Sequence, residues 1–176
     1  MKRHFIIISI IAVFVASCSQ PGEPFLLDEY SPHQTMRNAT IMHTDSGRVQ
    51  MVTWGEEIWN FDDEYQTQEF PSNVRAKFYD AYGAISSIVV ADEATSWQAK
   101  GVMHLRGNVI IEDLRDGSRT YTESLFWYQE EGEIHSDVPF RQVFPNGSIR
   151  RGTSFRSDDQ MIEWEVANVH WWFPAN

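Results

Sequence analysis

The chain has 176 residues, a formal net charge of −11 and a single cysteine. This length suits one sizeable domain, and the acidic charge argues against binding to nucleic acid and to anionic lipid surfaces. With one cysteine there is no internal disulfide, no thiolate metal site and no catalytic thiol in the body of the chain.

The first residues have the order of a bacterial lipoprotein signal. Lys2 and Arg3 precede an apolar run over residues 5–15, and the small residues Ala16 and Ser17 lead to Cys18. The run is shorter than the roughly 20 residues that a membrane span needs. The pattern therefore predicts a signal peptide over residues 1–17 and a lipid on Cys18. The alternative is an ordinary secretory signal that happens to contain a cysteine.

The segment after the cysteine lacks any sustained hydrophobic period and contains Pro21, Gly22, Pro24 and Pro32. This composition is typical of a flexible linker. We expect residues 18–36 to form the lipidated N-terminus and a tether, and residues 37–176 to form one folded domain.

From about Asn38 onward, apolar and polar residues alternate with the period of a β-strand, and turn residues interrupt them about every ten positions. The only stretch that would also suit a helix is 56–64, and its centre fits a strand as well. The pattern predicts an all-β, antiparallel domain. The predicted hairpin turns lie at residues 45–47, 80–83, 115–117, 130–132 and 145–147.

Aromatic residues make up 14% of the chain. In the run 125–128, Leu125 and Trp127 share one side of the strand, while Phe126 and Tyr128 share the other. Either both faces of the sheet are covered, or one face lines an apolar groove. A filled sandwich core is the simpler interpretation of any single aromatic residue.

The sequence carries no pattern of a catalytic or metal site. The six histidines form neither an HxH nor an HExxH pair, and there is no G-x-S-x-G and no Gly-rich phosphate loop. The acidic clusters 62–64 and 158–159 fit solvated turns better than paired catalytic carboxylates. The sequence predicts no enzyme, no cofactor and no metal.

Several short runs between residues 74 and 158 follow the pattern of a known family in order and spacing. They are Val74-Arg75-Ala76-Lys77-Phe78-Tyr79-Asp80 with Gly83, Ile88-Val89-Val90-Ala91-Asp92-Glu93-Ala94, Gly107-Asn108-Val109-Ile110-Ile111 with Gly117, Thr122-Glu123-Ser124-Leu125 with Trp127, Ile134-His135-Ser136-Asp137, and Gly152-Thr153-Ser154-Phe155-Arg156-Ser157-Asp158. With these runs, residues 74–158 resemble the LptC family, the membrane-anchored periplasmic component of lipopolysaccharide export. Tyr128 and Ser154 depart from the family pattern, as does a lipid anchor in place of a transmembrane helix.

The resemblance implies an open, twisted antiparallel β-jellyroll (OstA/LptC-like) whose walls enclose an apolar groove. It implies a periplasmic protein, lipid-anchored here to the inner membrane. Such a protein accepts lipopolysaccharide from an inner-membrane lipopolysaccharide ABC transporter and passes it to a periplasmic LptA-like bridge protein. From their alternation and their place in the matching runs, we expect five residues to line the groove, the alternative being that they fill a closed core. They are Val109, Ile111, Leu125, Trp127 and Ile134.

A second function remains open at this stage. A generic lipid-anchored β-sandwich that binds protein or carbohydrate at the cell envelope would show the same signal, strand pattern and aromatic content. Exposed aromatic side chains stack on sugars as readily as they line a lipid groove.

Overall fold

The computed structural model describes residues 31–174. The predicted signal peptide, Cys18 and residues 18–30 of the predicted tether lie outside this range. Among the described residues, no helix has the length and apolar character needed to span a membrane.

Residues 31–174 form fourteen strands, one short 3-10 turn at Gln98–Lys100 and no α-helix. All strand pairs are antiparallel and belong to a single hydrogen-bonded sheet. The prediction of an all-β antiparallel domain is confirmed. The strands are β1 (Gln34–Asp45), β2 (Arg48–Asn60), β3 (Thr67–Phe70), β4 (Val74–Tyr79), β5 (Ile85–Ala91), β6 (Glu93–Trp97), β7 (Val102–Asp113), β8 (Arg119–Tyr128), β9 (Glu133–Ser136), β10 (Phe140–Val143), β11 (Ile149–Gly152), β12 (Ser154–Asp158), β13 (Trp164–Ala167) and β14 (His170–Trp172).

The sheet is folded into two walls, because its longest strands change partners along their length. In β7, residues 102–106 pair with β6 and residues 110–113 pair with β5. In β8, residues 119–121 pair with β10 and residues 126–128 pair with β9. The first wall therefore contains β4, β5, β10, β11 and β14, and the second contains β3, β6, β9, β12 and β13. Strands β1, β2, β7 and β8 run through both.

The change of wall in β7 occurs at two residues with left-handed backbone, Gly107 (φ +73°) and Asn108 (φ +46°). These two residues stand opposite the single residue Glu123 of β8, which is a β-bulge and bends the strand. The amide of Asn108 donates to a carboxylate oxygen of Asp92 at 2.7 Å, and the Asp92 N–H donates to the Gly107 carbonyl at 2.9 Å. Asp92 itself joins β5 to β6, which lie in different walls. We call a place where the chain passes from one wall to the other a crossing, and these hydrogen bonds link two neighbouring crossings.

Similar crossings form a row along one side of the domain, which we call the bend line. At one of them Asn73 donates to Glu56 at 2.6 Å, and at another Asn168 donates to the Thr153 hydroxyl at 3.0 Å. Asn38 makes the crossing within β1 with a φ of +49°. Short polar side chains that tolerate positive φ thus fold the sheet at a common line.

The hydrophobic core lies between the walls. Phe78 of the first wall meets Trp127 of the second edge-to-face at 5.6 Å, and Phe140 meets Phe155 in the same way at 5.0 Å. These cross-wall ring pairs show that the two inner faces pack directly against each other.

The predicted turns are confirmed at the ends of β1, β4, β7, β8 and β10. The strand pattern differs at two places. The run 125–128 is the end of the longer strand β8, because the polar residues 123 and 124 before it form a crossing rather than a loop. Strand β1 begins at Gln34, three residues before the predicted start of the domain, and the stretch 56–64 is β2 as far as Asn60.

Candidate functional site

The interior between the walls holds the five residues that the sequence singled out. Their exposed fractions are 0% for Val109, 1% for Ile111, 0% for Leu125, 2% for Trp127 and 0% for Ile134. All five lie in one cluster of buried side chains. Whether they contact a ligand stays a prediction.

Their sequence neighbours lie on the outer faces. Ile110 lines a depression of about 960 Å³ on the outside of the first wall, together with Trp54, Arg75 and Lys77. Phe126 stacks on His104 with ring centroids 3.9 Å apart on the outside of the second wall. The two faces of β7 and β8 are therefore chemically distinct and open to separate tests.

The interior also contains polar atoms that lack a partner. The indole N–H of Trp127 and the hydroxyls of Thr53 and Ser87 have no hydrogen-bond partner among residues 31–174, although all three atoms are buried. Buried polar groups are normally paired, and leaving one unpaired costs free energy. The space between the walls thus has unused hydrogen-bonding capacity within an apolar lining.

The side opposite the bend line is where the hairpin turns of the two walls meet. The Gln160 amide donates across it to the Tyr79 carbonyl at 3.2 Å, and His43 packs edge-to-face on Trp127 at 5.6 Å. A cavity of about 340 Å³ lined by His43, Gln129 and Trp127 lies beside these contacts. Burial lowers the pKa of His43 and raises that of Asp159, so the folded structure disfavours the charged form of both groups.

Both ends of the domain present strand edges. Strand β1 pairs only with β2 at one end, while β13 pairs only with β12 and β14 only with β11 at the other. These pairings are those of residues 31–174. The unpaired backbone of such edges is a template for another strand.

Sequence reasoning missed two features of this site. It gave the polar residues of the bend line no part in folding the sheet, and it assigned nothing to the aromatic residues after Asp158. The density of Trp and Phe in residues 164–173 was the available signal. Trp171, Trp172 and Phe173 are 48%, 56% and 66% exposed.

No group of three potential metal ligands is found among the described residues.

Comparison with known proteins points to one system. A family model described as "Lipopolysaccharide-assembly, LptC-related" matches residues 5–159. No curated protein matches the chain. A similar solved structure is that of LptH from Pseudomonas aeruginosa, described as the LptA homologous periplasmic component of the conserved lipopolysaccharide transport device. It is 11% identical, with 84% of this chain and 99% of that chain covered and a TM-score of 0.52, which shows a shared β-jellyroll fold.

Proposed function

The chain belongs to the LptC-related family of lipopolysaccharide-assembly proteins, and on that premise we propose that it accepts lipopolysaccharide from an inner-membrane ABC transporter and passes it on through the space between its walls. The family takes part in lipopolysaccharide transport across the periplasm without catalysing a reaction. The observation that carries the proposal is the apolar interior between the two walls, which we call the slot. The chain passes from wall to wall along the bend line, whereas on the opposite side the walls meet only through contacts such as the Gln160–Tyr79 hydrogen bond.

The slot removes the main barrier to moving a lipid through water. At about 25 cal/mol per Å² of apolar surface, exposing several acyl chains would cost on the order of tens of kcal/mol. Side chains such as Ile111 and Leu125 offer the acyl chains an apolar surface instead. The unpaired N–H of Trp127 faces the same space and suits an ester or hydroxyl oxygen of the lipid. Because the slot is filled in this structure, loading requires the walls to part.

The free edges support the choice of partners. Antiparallel edges at both ends of the domain suit strand addition, with an LptA-like bridge protein at one end and the transporter at the other. A continuous sheet through such contacts would join the slots of successive proteins. A lipid on Cys18 would hold the domain at the inner membrane, and residues 18–36 would set its reach.

The decisive experiment compares the inner and outer faces of β7 and β8. A photo-crosslinkable amino acid at Ile111 or Trp127 in the full-length protein is expected to capture lipopolysaccharide in living cells. The matched positions Ile110 and Phe126, one residue away and on the outer faces, are expected to capture none. The readout is a lipopolysaccharide-specific immunoblot of the ultraviolet-dependent product.

The opposite result would overturn the slot. Capture of lipopolysaccharide from Ile110 and Phe126 alone would place the lipid outside the walls. The stacked pair Phe126 and Tyr128 on that outer face would then favour the second candidate, an envelope module that binds carbohydrate. Depletion separates the two functions as well, because loss of an export component blocks lipopolysaccharide at the inner membrane and loss of a surface module does not.

A further inference from the structure

Arg150 lies at the end of the slot that is bounded by β13 and β14, which we call the C-terminal opening. It pairs in register with Gln142, which is 3% exposed, so the two side chains share the inner face of the first wall. Its guanidinium carbon lies 4.6 Å from the ring centroid of Trp164, on β13 of the second wall. It also lies 5.7 Å from the Trp171 ring on β14 and 6.0 Å from the Phe144 ring. The cation therefore stands between the last strands of the two walls.

This guanidinium has no acidic partner within the described residues. No carboxylate oxygen lies within ion-pair distance of it, whereas Arg106, Arg115 and Arg119 each have one at 2.6 to 2.8 Å. The Nε atom of Arg150 is buried without an acceptor. A guanidinium carries five N–H donors in a planar fork, and no side-chain hydrogen bond of Arg150 is found among residues 31–174. The donors of Arg150 are left for a ligand.

The surroundings are open to a molecule that leaves the slot. Trp171 is 48% exposed and Phe173 is 66% exposed, and their rings stack 5.7 Å apart beside the cation. The adjacent Arg151 is exposed on the opposite face of β11. Asp116 is near enough to interact electrostatically with Arg150 but forms no ion pair with it. In a chain with a net charge of −11, a cation that no carboxylate pairs directly is a favourable place for an anionic group.

We propose that Arg150, held between Trp164 and Trp171, binds a phosphate group of a phosphorylated glycolipid at the C-terminal opening while the acyl chains lie in the slot. This inference rests on the proposed function. The planar fork of arginine matches two phosphate oxygens at once, and a guanidinium packs favourably on aromatic rings. Acyl chains inside the slot bring the sugar headgroup and its phosphate to the opening, where this cation lies.

The test uses the full-length protein in detergent micelles and two probes, lipid A with both phosphates and lipid A from which both have been removed. The unchanged protein is expected to bind the phosphorylated probe about tenfold more tightly. Arg150→Gln is expected to abolish that preference, with binding of the dephosphorylated lipid unchanged, and Arg150→Lys to reduce it. Arg151→Gln, the matched control, is expected to keep it.

Three results would overturn the inference. One is that Arg150→Gln keeps the preference for the phosphorylated lipid. Another is that the unchanged protein shows no such preference, a result that does not depend on whether the variants fold. The third is displacement of the phosphorylated lipid by millimolar inorganic phosphate, which would show a site for the free anion rather than for a lipid. Capture of lipopolysaccharide at Ile111 together with any of these results would leave the proposed function standing. Failure of Ile111 to capture it would remove the proposed function itself.

Discussion

Asp159, on the side opposite the bend line, shows how a single residue affects the stability of the folded domain. Its N–H donates to the Gly132 carbonyl at 2.8 Å, and its carboxylate accepts from Gln160, the residue that reaches across to Tyr79. Burial raises the pKa of Asp159. A raised pKa in the folded state means that folding favours the protonated acid. The associated stability is present at low pH and is lost as the pH rises from the unfolded-state pKa of about 4 through the raised folded-state pKa.

We therefore expect Asp159→Asn to unfold at a higher temperature than the unchanged protein at pH 7. The amide keeps a carbonyl oxygen for the Gln160 hydrogen bond and carries no charge to bury. The advantage should vanish below about pH 4, where the acid is protonated in both states. Thermal unfolding followed by circular dichroism between pH 3.5 and 7.5 measures it. Asp62→Asn, at an exposed position, is the control, and an equal gain in both variants would contradict the expectation.

Individual strands show why the sequence predicted hairpins better than crossings. An Asp, Asn or Gly between two alternating runs marks a turn on local grounds alone, as at Ser46 and Gly47. Gly107 and Asn108 are residues of the same types inside β7. There the strand bends and passes from one wall to the other, and the chain does not reverse. Which of the two occurs depends on the partners of the strand, and those partners are distant in sequence. The alternation that put Ile111 inside likewise could not show that Arg150 lies opposite Trp164.

The family resemblance gains a physical meaning at this scale. The runs around Ala91-Asp92, Gly107-Asn108 and Gly152-Thr153 each contain a crossing of the bend line. Gly152 ends β11 and Ala167 ends β13. A Cβ atom at Gly152 would lie 2.8 Å from the Ala167 carbonyl, so these strand ends approach too closely for a side chain at this position. The shared pattern thus records where the sheet folds.

The bend of β7 predicts a difference between two glycines. Gly107 (φ +73°) and Gly47 (φ +79°) both have left-handed backbone, but a Cβ at Gly107 would lie 2.7 Å from an Asp92 carboxylate oxygen and one at Gly47 would meet nothing within 4 Å. We expect Gly47→Ala to lower the free energy of unfolding by about 1 kcal/mol and Gly107→Ala by about 2–3 kcal/mol. Urea unfolding measures both. Equal losses would mean that Asp92 yields without cost.

At the scale of the whole molecule, the described domain has a strand edge at each end and, by proposal, a lipid at its N-terminus. If the lipid on Cys18 only positions the slot beside the transporter, the chemistry of the anchor is unimportant. The domain then needs only proximity to the membrane and enough length in residues 18–36.

Replacing residues 1–18 by a transmembrane helix should therefore preserve growth and lipopolysaccharide export. The measurements are complementation of a depletion strain and the surface level of lipopolysaccharide. A secreted form with Cys18→Ser is the matched control without an anchor and should complement poorly at equal protein level. Failure of the helix-anchored form, at normal abundance, would assign to Cys18 a role beyond attachment.

The bend line has a mechanical consequence for the range of cargo. Because the strands cross between walls along one common row, where Asn38, Gly107, Asn108 and Asn168 have left-handed backbone, we expect small rotations at these residues to let the two walls separate. Such a rotation would keep the hydrogen-bonded ladders within each wall intact and would break only the contacts between the walls. The width of the slot is then a compliant quantity rather than a fixed one. If the slot holds lipopolysaccharide as proposed, we expect a single fold of this kind to accommodate lipids with different numbers of acyl chains without any change of sequence.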